Sequence, residues 1–153
     1  MRYELATLQA RIGGAAKVAQ GVESFTAAPG AKGTLAGCWI TETGMLNQVL
    51  VLRAFADDAD KLAERARISA TRNPFDAGED IAEMTFDAYA EFPWVKTLAP
   101  GKYGTIYEFR TYKIKSGALD FISRNWEAAV PARVAFSPLA TFLYTVSGSP
   151  RMT

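Results

Sequence analysis

At 153 residues the chain has room for one domain or two small ones, and 49% apolar residues are enough to build a core. Seventeen basic residues against sixteen acidic ones leave a net charge of +1, with no basic run, which argues against a nucleic-acid surface. The chain has no histidine and one cysteine, which removes imidazole as a base or metal ligand, an intrachain disulfide and a paired-thiol metal site.

The start, MRYELATLQARIGG, lacks the long apolar stretch of a signal peptide. No segment approaches the ~18 consecutive apolar residues of a membrane span. The reading is a cytoplasmic protein without a transmembrane segment. Tyr3 to Gln9 alternates as a strand, and Gly13-Gly14 turns the chain. From Ala15, Val18, Ala19, Val22, Phe25 and Thr26 follow helical spacing until Pro29-Gly30. Thr34 to Thr43 and Leu46 to Phe55 are the next strands, joined around Gly44, and their apolar runs imply burial on both faces. Cys38, among Leu35, Ala36, Trp39 and Ile40, reads as a buried, inert thiol.

Asp57 and Asp58 open a helix that extends to about Arg72. Its expected inner face is Leu62, Ala66 and Ser69-Ala70, with Lys61, Glu64 and Arg65 solvated. A helix start explains Asp57, Asp58 and Asp60 better than a metal cluster does, so no metal site is expected. Met84, Phe86, Ala88 and Ala90 alternate with polar partners and favour a strand from Ile81 to Phe92, with a helix from Glu79 to Tyr89 as the competing reading. The order strand, helix, strand, strand, helix, strand is a ferredoxin-like split βαβ arrangement with both helices on one side of an antiparallel sheet.

Tyr3-Glu4-Leu5-Ala6-Thr7-Leu8 matches Tyr107-Glu108-Phe109-Arg110-Thr111-Tyr112 at an offset of 104. At the same offset Gly13 falls on Gly117, Val18 on Ile122, Glu23 on Glu127, Thr41 on Thr145 and Gly44 on Gly148. Matching glycines at turn positions imply matching backbone geometry. The domains expected are a first repeat at 1–98, a linker at 99–104 and the front half of a second repeat at 105–153. In that second copy Leu119, Ile122, Trp126 and Val130 form the helical stripe, and Pro131 should kink or end it. Without a gap Thr153 matches Val49. The expectation is that the chain continues beyond this point or that another molecule completes the sheet.

YEFRTYKIKSGALDFI (Tyr107 to Ile122) resembles the opening signature of the NIPSNAP family, with YELATLQARIGGAAKV a weaker version. GCWITETGMLNQVLVLRAF, from Gly37 to Phe55, resembles the family's central hairpin, and the helix carrying ERAR (Glu64 to Arg67) fits as well. The resemblance implies an α+β fold in which ferredoxin-like repeats pack two antiparallel sheets face to face as a dimeric α/β-barrel, and hence a homo-oligomer. Relatives in that broad fold include cofactor-free monooxygenases, haem-degrading enzymes and plain ligand binders. The haem-degrading ones use a histidine that this chain lacks, and no cofactor is expected. The family often has Trp where Arg53 stands, and Ala6 and Leu8 replace the Arg110 and Tyr112 of the second copy.

The candidate site starts at Glu42, Asn47 and Gln48. These either build the strand connection or line the mouth of a pocket, with Glu42 as acid/base and Asn47 as a hydrogen-bond donor. Trp39 is core packing or a ligand platform. Arg53, a charge in an apolar strand, pairs with Glu4 or Glu42 or meets an anionic ligand. Arg110 and Tyr112 complete the candidate ligand-binding set. GKYGTIYEF (Gly101 to Phe109) has no phosphate-binding pattern. Two functions stay open: a barrel that binds or transforms a small apolar molecule without a metal, and a non-catalytic protein-interaction module. The first asks for an enclosed pocket with convergent polar groups, the second for a filled interior and exposed apolar surface.

Overall fold

The computed structural model describes residues 1–153, and packing divides them into two compact units, Met1–Ala88 and Tyr89–Thr153. Both are α+β. The first contains β1 (Arg2–Ala10), α1 (Ala15–Ala27), β2 (Thr34–Ile40), β3 (Gln48–Phe55), α2 (Asp58–Ala70) and most of β4 (Ile81–Glu91). Its strand order is β2-β3-β1-β4. β3 runs antiparallel to both β1 and β2, so β1 and β2 point the same way with β3 inserted between them, a split βαβ unit.

Strand parity sorts the core. Glu4 pairs with Arg53, Ala6 with Val51 and Leu8 with Val49. All six point to one face, where Ala6, Leu8, Val49 and Val51 pack with Val18, Val22 and Phe25 of α1 and Ile68 of α2. Tyr3, Leu5 and Leu52 alternate onto the other face and are buried as well, as the long apolar runs imply.

α2 begins where the sequence places it. The Asp57 carboxylate accepts the Asp60 backbone N–H at 2.9 Å, the N-cap bond that an isolated helix start lacks. Its inner face is a different one from that expected. Glu64 and Ile68 are buried, while Leu62 is 66% exposed and Ala66, Ser69 and Ala70 are not buried either. A periodicity argument assumes that apolar residues seek the core. Here the sheet presents Arg53 to the helix, and a buried cation demands a carboxylate more strongly than it demands a leucine.

After α2 two short 3-10 turns, Pro74–Asp76 and Gly78–Asp80, lead into β4, which is the strand favoured over the competing helix. Phe75 is held at φ 54°, an uncommon conformation for a bulky residue, with its ring fully buried 5.4 Å from Phe25 and 6.4 Å from Phe86. α1 lies so close to this turn that a methyl group on Gly21 would collide with the Phe75 carbonyl oxygen.

The second unit contains the end of β4, then β5 (Tyr112–Lys113), α3 (Leu119–Val134), β6 (Leu143–Thr145) and β7 (Arg151–Met152), in the strand order β4-β6-β7-β5. The division at Ala88 differs from the repeat boundary at 98 for a physical reason. Tyr89, Ala90 and Glu91 pair with Thr145, Tyr144 and Leu143 of β6, so the end of β4 packs with the strands that come after it. A small aromatic core of Phe92, Phe142 and Met152 gathers Trp94, Trp126 and Tyr144. α3 continues through Pro131 to Val134 rather than ending there. A proline in the last turn removes a single helical hydrogen bond, which is less disruptive than one in mid-helix.

Local hydrogen bonds recur between the units. The Gly14 N–H donates to the Arg11 carbonyl at 2.8 Å, and the Ala118 N–H to the Lys115 carbonyl at 3.0 Å. The N–H groups of Val18 and Ile122 donate to the carbonyls of Gly14 and Ala118, both at 2.9 Å. Gly13 and Gly117 have φ 79° and 80°, and Gly44 and Gly148 have 82° and 74°. The Oγ1 groups of Thr41 and Thr145 donate to the carbonyls of Met45 and Ser149. The correspondence then slips. Thr41 Oγ1 accepts from the N–H seven residues on, that of Gln48, whereas Thr145 Oγ1 accepts from the N–H six residues on, that of Arg151. Thr153, paired with Leu143, therefore corresponds to Leu50, paired with Trp39, rather than to Val49. β5 is a ladder of two residues because only Arg151 and Met152 of β7 face it, whereas β3 holds β1 from Arg2 to Gln9.

Replacing Gly21 with Ala drives a side chain into backbone that cannot retreat without moving Phe75. The expected loss is about 1–3 kcal/mol, measured by urea unfolding with the tyrosine and tryptophan signals followed separately.

Candidate functional site

The most unusual chemistry lies between the first unit's sheet and α2. Arg53, 2% exposed, stands in the middle of an apolar strand. Its Nη1 donates to Glu64 Oε1 at 2.8 Å. Its Nη2 faces Glu4 Oε1 at 3.7 Å, an ion pair without a hydrogen bond. Both of those atoms are buried, and neither has a hydrogen-bond partner. The other oxygen of Glu4 accepts from Arg65 Nε at 2.5 Å.

Glu64, fully buried, is the hub. Besides Arg53 it accepts from Arg67 Nη2 at 2.6 Å, from Arg67 Nε at 2.9 Å and from the Lys32 backbone N–H at 3.0 Å. Arg67 also donates to the Phe25 carbonyl and lies 3.6 Å over the Phe25 ring, and Arg65 lies 3.6 Å over Phe86. The cluster thus ties β1, β3, α1 and α2 together through three guanidinium groups and two carboxylates.

Burial opposes the charge on Glu64, yet the bonds from Arg67, the Lys32 N–H and Arg53 hold its pKa below the ordinary glutamate range. Burial lowers the pKa of Arg53, while Glu64 and Glu4 pull it back up. Apart from Glu4 Oε1 and Arg53 Nη2, which meet only as an ion pair, these groups are hydrogen-bonded to one another or to backbone, as in a structural network.

The other candidate residues fall elsewhere. Trp39 opposes Leu50 on β3, the face away from α2, so Trp39 and Arg53 lie on opposite sides of one sheet. The Trp39 indole folds over Gly37, whose missing side chain leaves room for it. Glu42 is on the connection between β2 and β3, where Thr43, Gly44, Met45 and Leu46 are exposed beside it. Asn47 has φ 59°, and its carbonyl accepts the Ala10 N–H at 2.7 Å. Gln48 exchanges bonds with Thr41 through backbone and hydroxyl. The work visible at Asn47 and Gln48 is turn construction. In the second unit Arg110 Nε donates to Glu108 at 2.8 Å, with both side chains largely in water. Tyr112 pairs with Met152 and is 39% exposed. Cys38 is half-buried, and burial, with a contribution from Glu23, lifts its pKa to about 11, so the thiol stays protonated at neutral pH.

Sequence reasoning offered Glu4 or Glu42 as the partner of Arg53, or an anionic ligand; Glu4 is one partner, and Glu64, Arg65 and Arg67 were missed. A signal was available: in ERAR, Glu64 and Arg67 are one helical turn apart, a spacing that lets them chelate. A hollow of about 250 Å³, lined by Ile114, Lys115, Leu119, Thr145, Ser147 and Pro150 among others, opens in the second unit. None of the candidate residues lines it.

Replacing Glu64 with Ala strands Arg53 in the interior and should lower stability by about 3–5 kcal/mol, read as a drop in urea midpoint. Because the folded pKa of Glu64 is depressed, its contribution is complete above the unfolded value of about 4.3. It is lost as pH falls from there through the folded value. Stability should therefore decline below about pH 4.3, and more gently in Glu64→Gln, measured by unfolding at pH 7, 4 and 3.

A NIPSNAP family model matches residues 3–96. No curated protein matches the chain. Among solved structures, an uncharacterised NIPSNAP-domain protein from Burkholderia xenovorans is 19% identical. The match covers 69% of this chain and all of that one, with a TM-score of 0.42. A NIPSNAP-like domain protein from the same organism is 22% identical over 70% of this chain and 90% of its own, with a TM-score of 0.45. A NIPSNAP family protein from Agrobacterium tumefaciens is 20% identical over 57% of this chain and 89% of its own, with a TM-score of 0.43. With more than half of its residues inside the family match, the chain belongs to the NIPSNAP family.

Proposed function

We propose that this protein is a non-catalytic assembly module that self-associates through apolar surface on its second unit, and that this unit is the front half of a second ferredoxin-like copy. The observation that carries the reading is the contrast in burial between the two units. The first has a continuous buried core and a buried cluster of paired charges. In the second, α3 has no fully buried residue, and Phe121, Phe136 and Ile106 are 63%, 89% and 89% exposed. Large apolar residues in water favour association.

The recurring turns and caps support the duplication, since unrelated segments have no reason to repeat hydrogen bonds in register. A second full sheet, closing with the first into a barrel, is the form that the duplication would take in the complete assembly. The small-molecule alternative draws less support. Arg53 is committed to Glu64 and Glu4, Glu42 lies on an open connection, and Trp39 points to the other side of the sheet from Arg53.

The test is sedimentation velocity across a hundredfold range of concentration. The wild-type chain should gain mass as concentration rises, and Phe121→Ser with Phe136→Ser should remain monomeric at the same thermal midpoint. A wild-type monomer throughout would remove the reading. So would a small apolar ligand that saturates the chain and is lost on substituting Glu42 or Asn47.

A further inference from the structure

One carboxylate in the first unit faces two guanidinium groups and bonds only one of them. Glu4 Oε2 accepts from Arg65 Nε at 2.5 Å, whereas Glu4 Oε1 stops 3.7 Å from Arg53 Nη2. The unmade contact is the buried one: the facing oxygen and nitrogen are both shut away from water without a hydrogen bond. Arg65, by contrast, is 38% exposed. A buried donor left unpaired costs more than a part-exposed bond exchanged for water. Glu64 cannot relieve the shortage, because Arg53 Nη1, both Arg67 bonds and the Lys32 N–H already hold it.

What keeps Glu4 with Arg65 is the aromatic seat of that arginine. Its guanidinium lies 3.6 Å over the Phe86 ring, and a stacked guanidinium is fixed in plane with its edge open to oxygens. Only Nε donates to protein, so both Nη groups stay available at a part-exposed position. Thr85 and Asp87 alternate onto the other face of β4 from Phe86. Three guanidinium groups against two carboxylates leave the cluster with an excess of positive charge. An oxyanion answers both that charge and the fork of a guanidinium.

We propose that Arg65 is a displaceable latch on Glu4 and a binding site for an oxyanion, a carboxylate or a phosphate. The anion takes the Arg65 guanidinium, and the released Glu4 turns to accept from Arg53 Nη2, which removes both unpaired atoms at once. Glu4 and Arg53 stand directly opposite on β1 and β3. Binding on the outside of α2 is thereby coupled to the pairing of the two central strands, and by linkage a tighter pairing favours the anion. The device lies wholly within the first unit and is independent of association through the second.

The test is arginine side-chain NMR on the full chain, isotopically labelled at its arginine nitrogens. Sodium phosphate and sodium acetate are titrated separately, with chloride holding the ionic strength constant. The Arg65 Nε signal should shift saturably, and exchange of the Arg53 Nη protons with solvent should slow about tenfold over the same concentrations. A response to phosphate alone makes the ligand a phosphate, and a response to acetate makes it a carboxylate. Arg65→Ala should show the slowed Arg53 exchange with no anion present, at an unchanged urea midpoint, and should not respond further. Lys61→Ala, which removes a neighbouring cation on α2, should respond as the wild type does. So should the Phe121 and Phe136 variants, whatever becomes of self-association. An Arg65 signal indifferent to both anions overturns the proposal, and so does an Arg65 shift that leaves Arg53 exchange untouched. Faster Arg53 exchange and a lower urea midpoint in Arg65→Ala overturn it as well, because Arg65 is then a brace and not a latch.

Discussion

A guanidinium group in the middle of an apolar strand sets the terms for the first unit. Arg53 is surrounded by Val51, Leu52 and Phe55 of its own strand, and its charge is tolerable only with carboxylates brought to it. One comes from the adjacent strand, since the register places Glu4 directly opposite. The other has to come from the layer above, and Glu64 is turned inward to supply it. That demand fixes the rotation of α2 about its own axis. Leu62 and Ala66 are carried to the outside as a consequence.

The same cluster works as a register device. Breaking the antiparallel pairing of β1 and β3 by one residue would move Glu4 to the far side of the sheet and leave Arg53 with one carboxylate fewer. Arg65 and Arg67 add cation–π contacts to Phe86 and Phe25, so the polar cluster is continuous with the aromatic core around Phe75. Arg53 Nη1 donates to Glu64, while Nη2 meets Glu4 only as an ion pair.

The second unit repeats the local grammar of the first without its layers. Caps, positive-φ glycines and threonine-bridged turns depend on a few neighbouring residues, and they form alike in both. A full-length first strand depends on a long partner on each side, and β5 has a two-residue partner on one side. The first unit closes over a continuous buried core, whereas the second has a short edge strand and exposed aromatic side chains.

The sequence alone determined the features that arise from near neighbours or from strict periodicity: the order of strands and helices, the Asp57 cap, the turn at Gly44, the recurrence of spacing after Tyr107 and the family signature in Gly37 to Phe55. It offered Glu4 and Glu42 as alternative partners for Arg53, without choosing between them. Only the tertiary structure decided which face of α2 is inside, that Glu64 answers Arg53, that Trp39 and Arg53 are separated by the thickness of a sheet, and that the second turn is one residue shorter. Pattern reading ranks residues by hydropathy along one element at a time. The orientation of α2 was decided by an electrostatic requirement arising on another element, and only chain folding brings the two together.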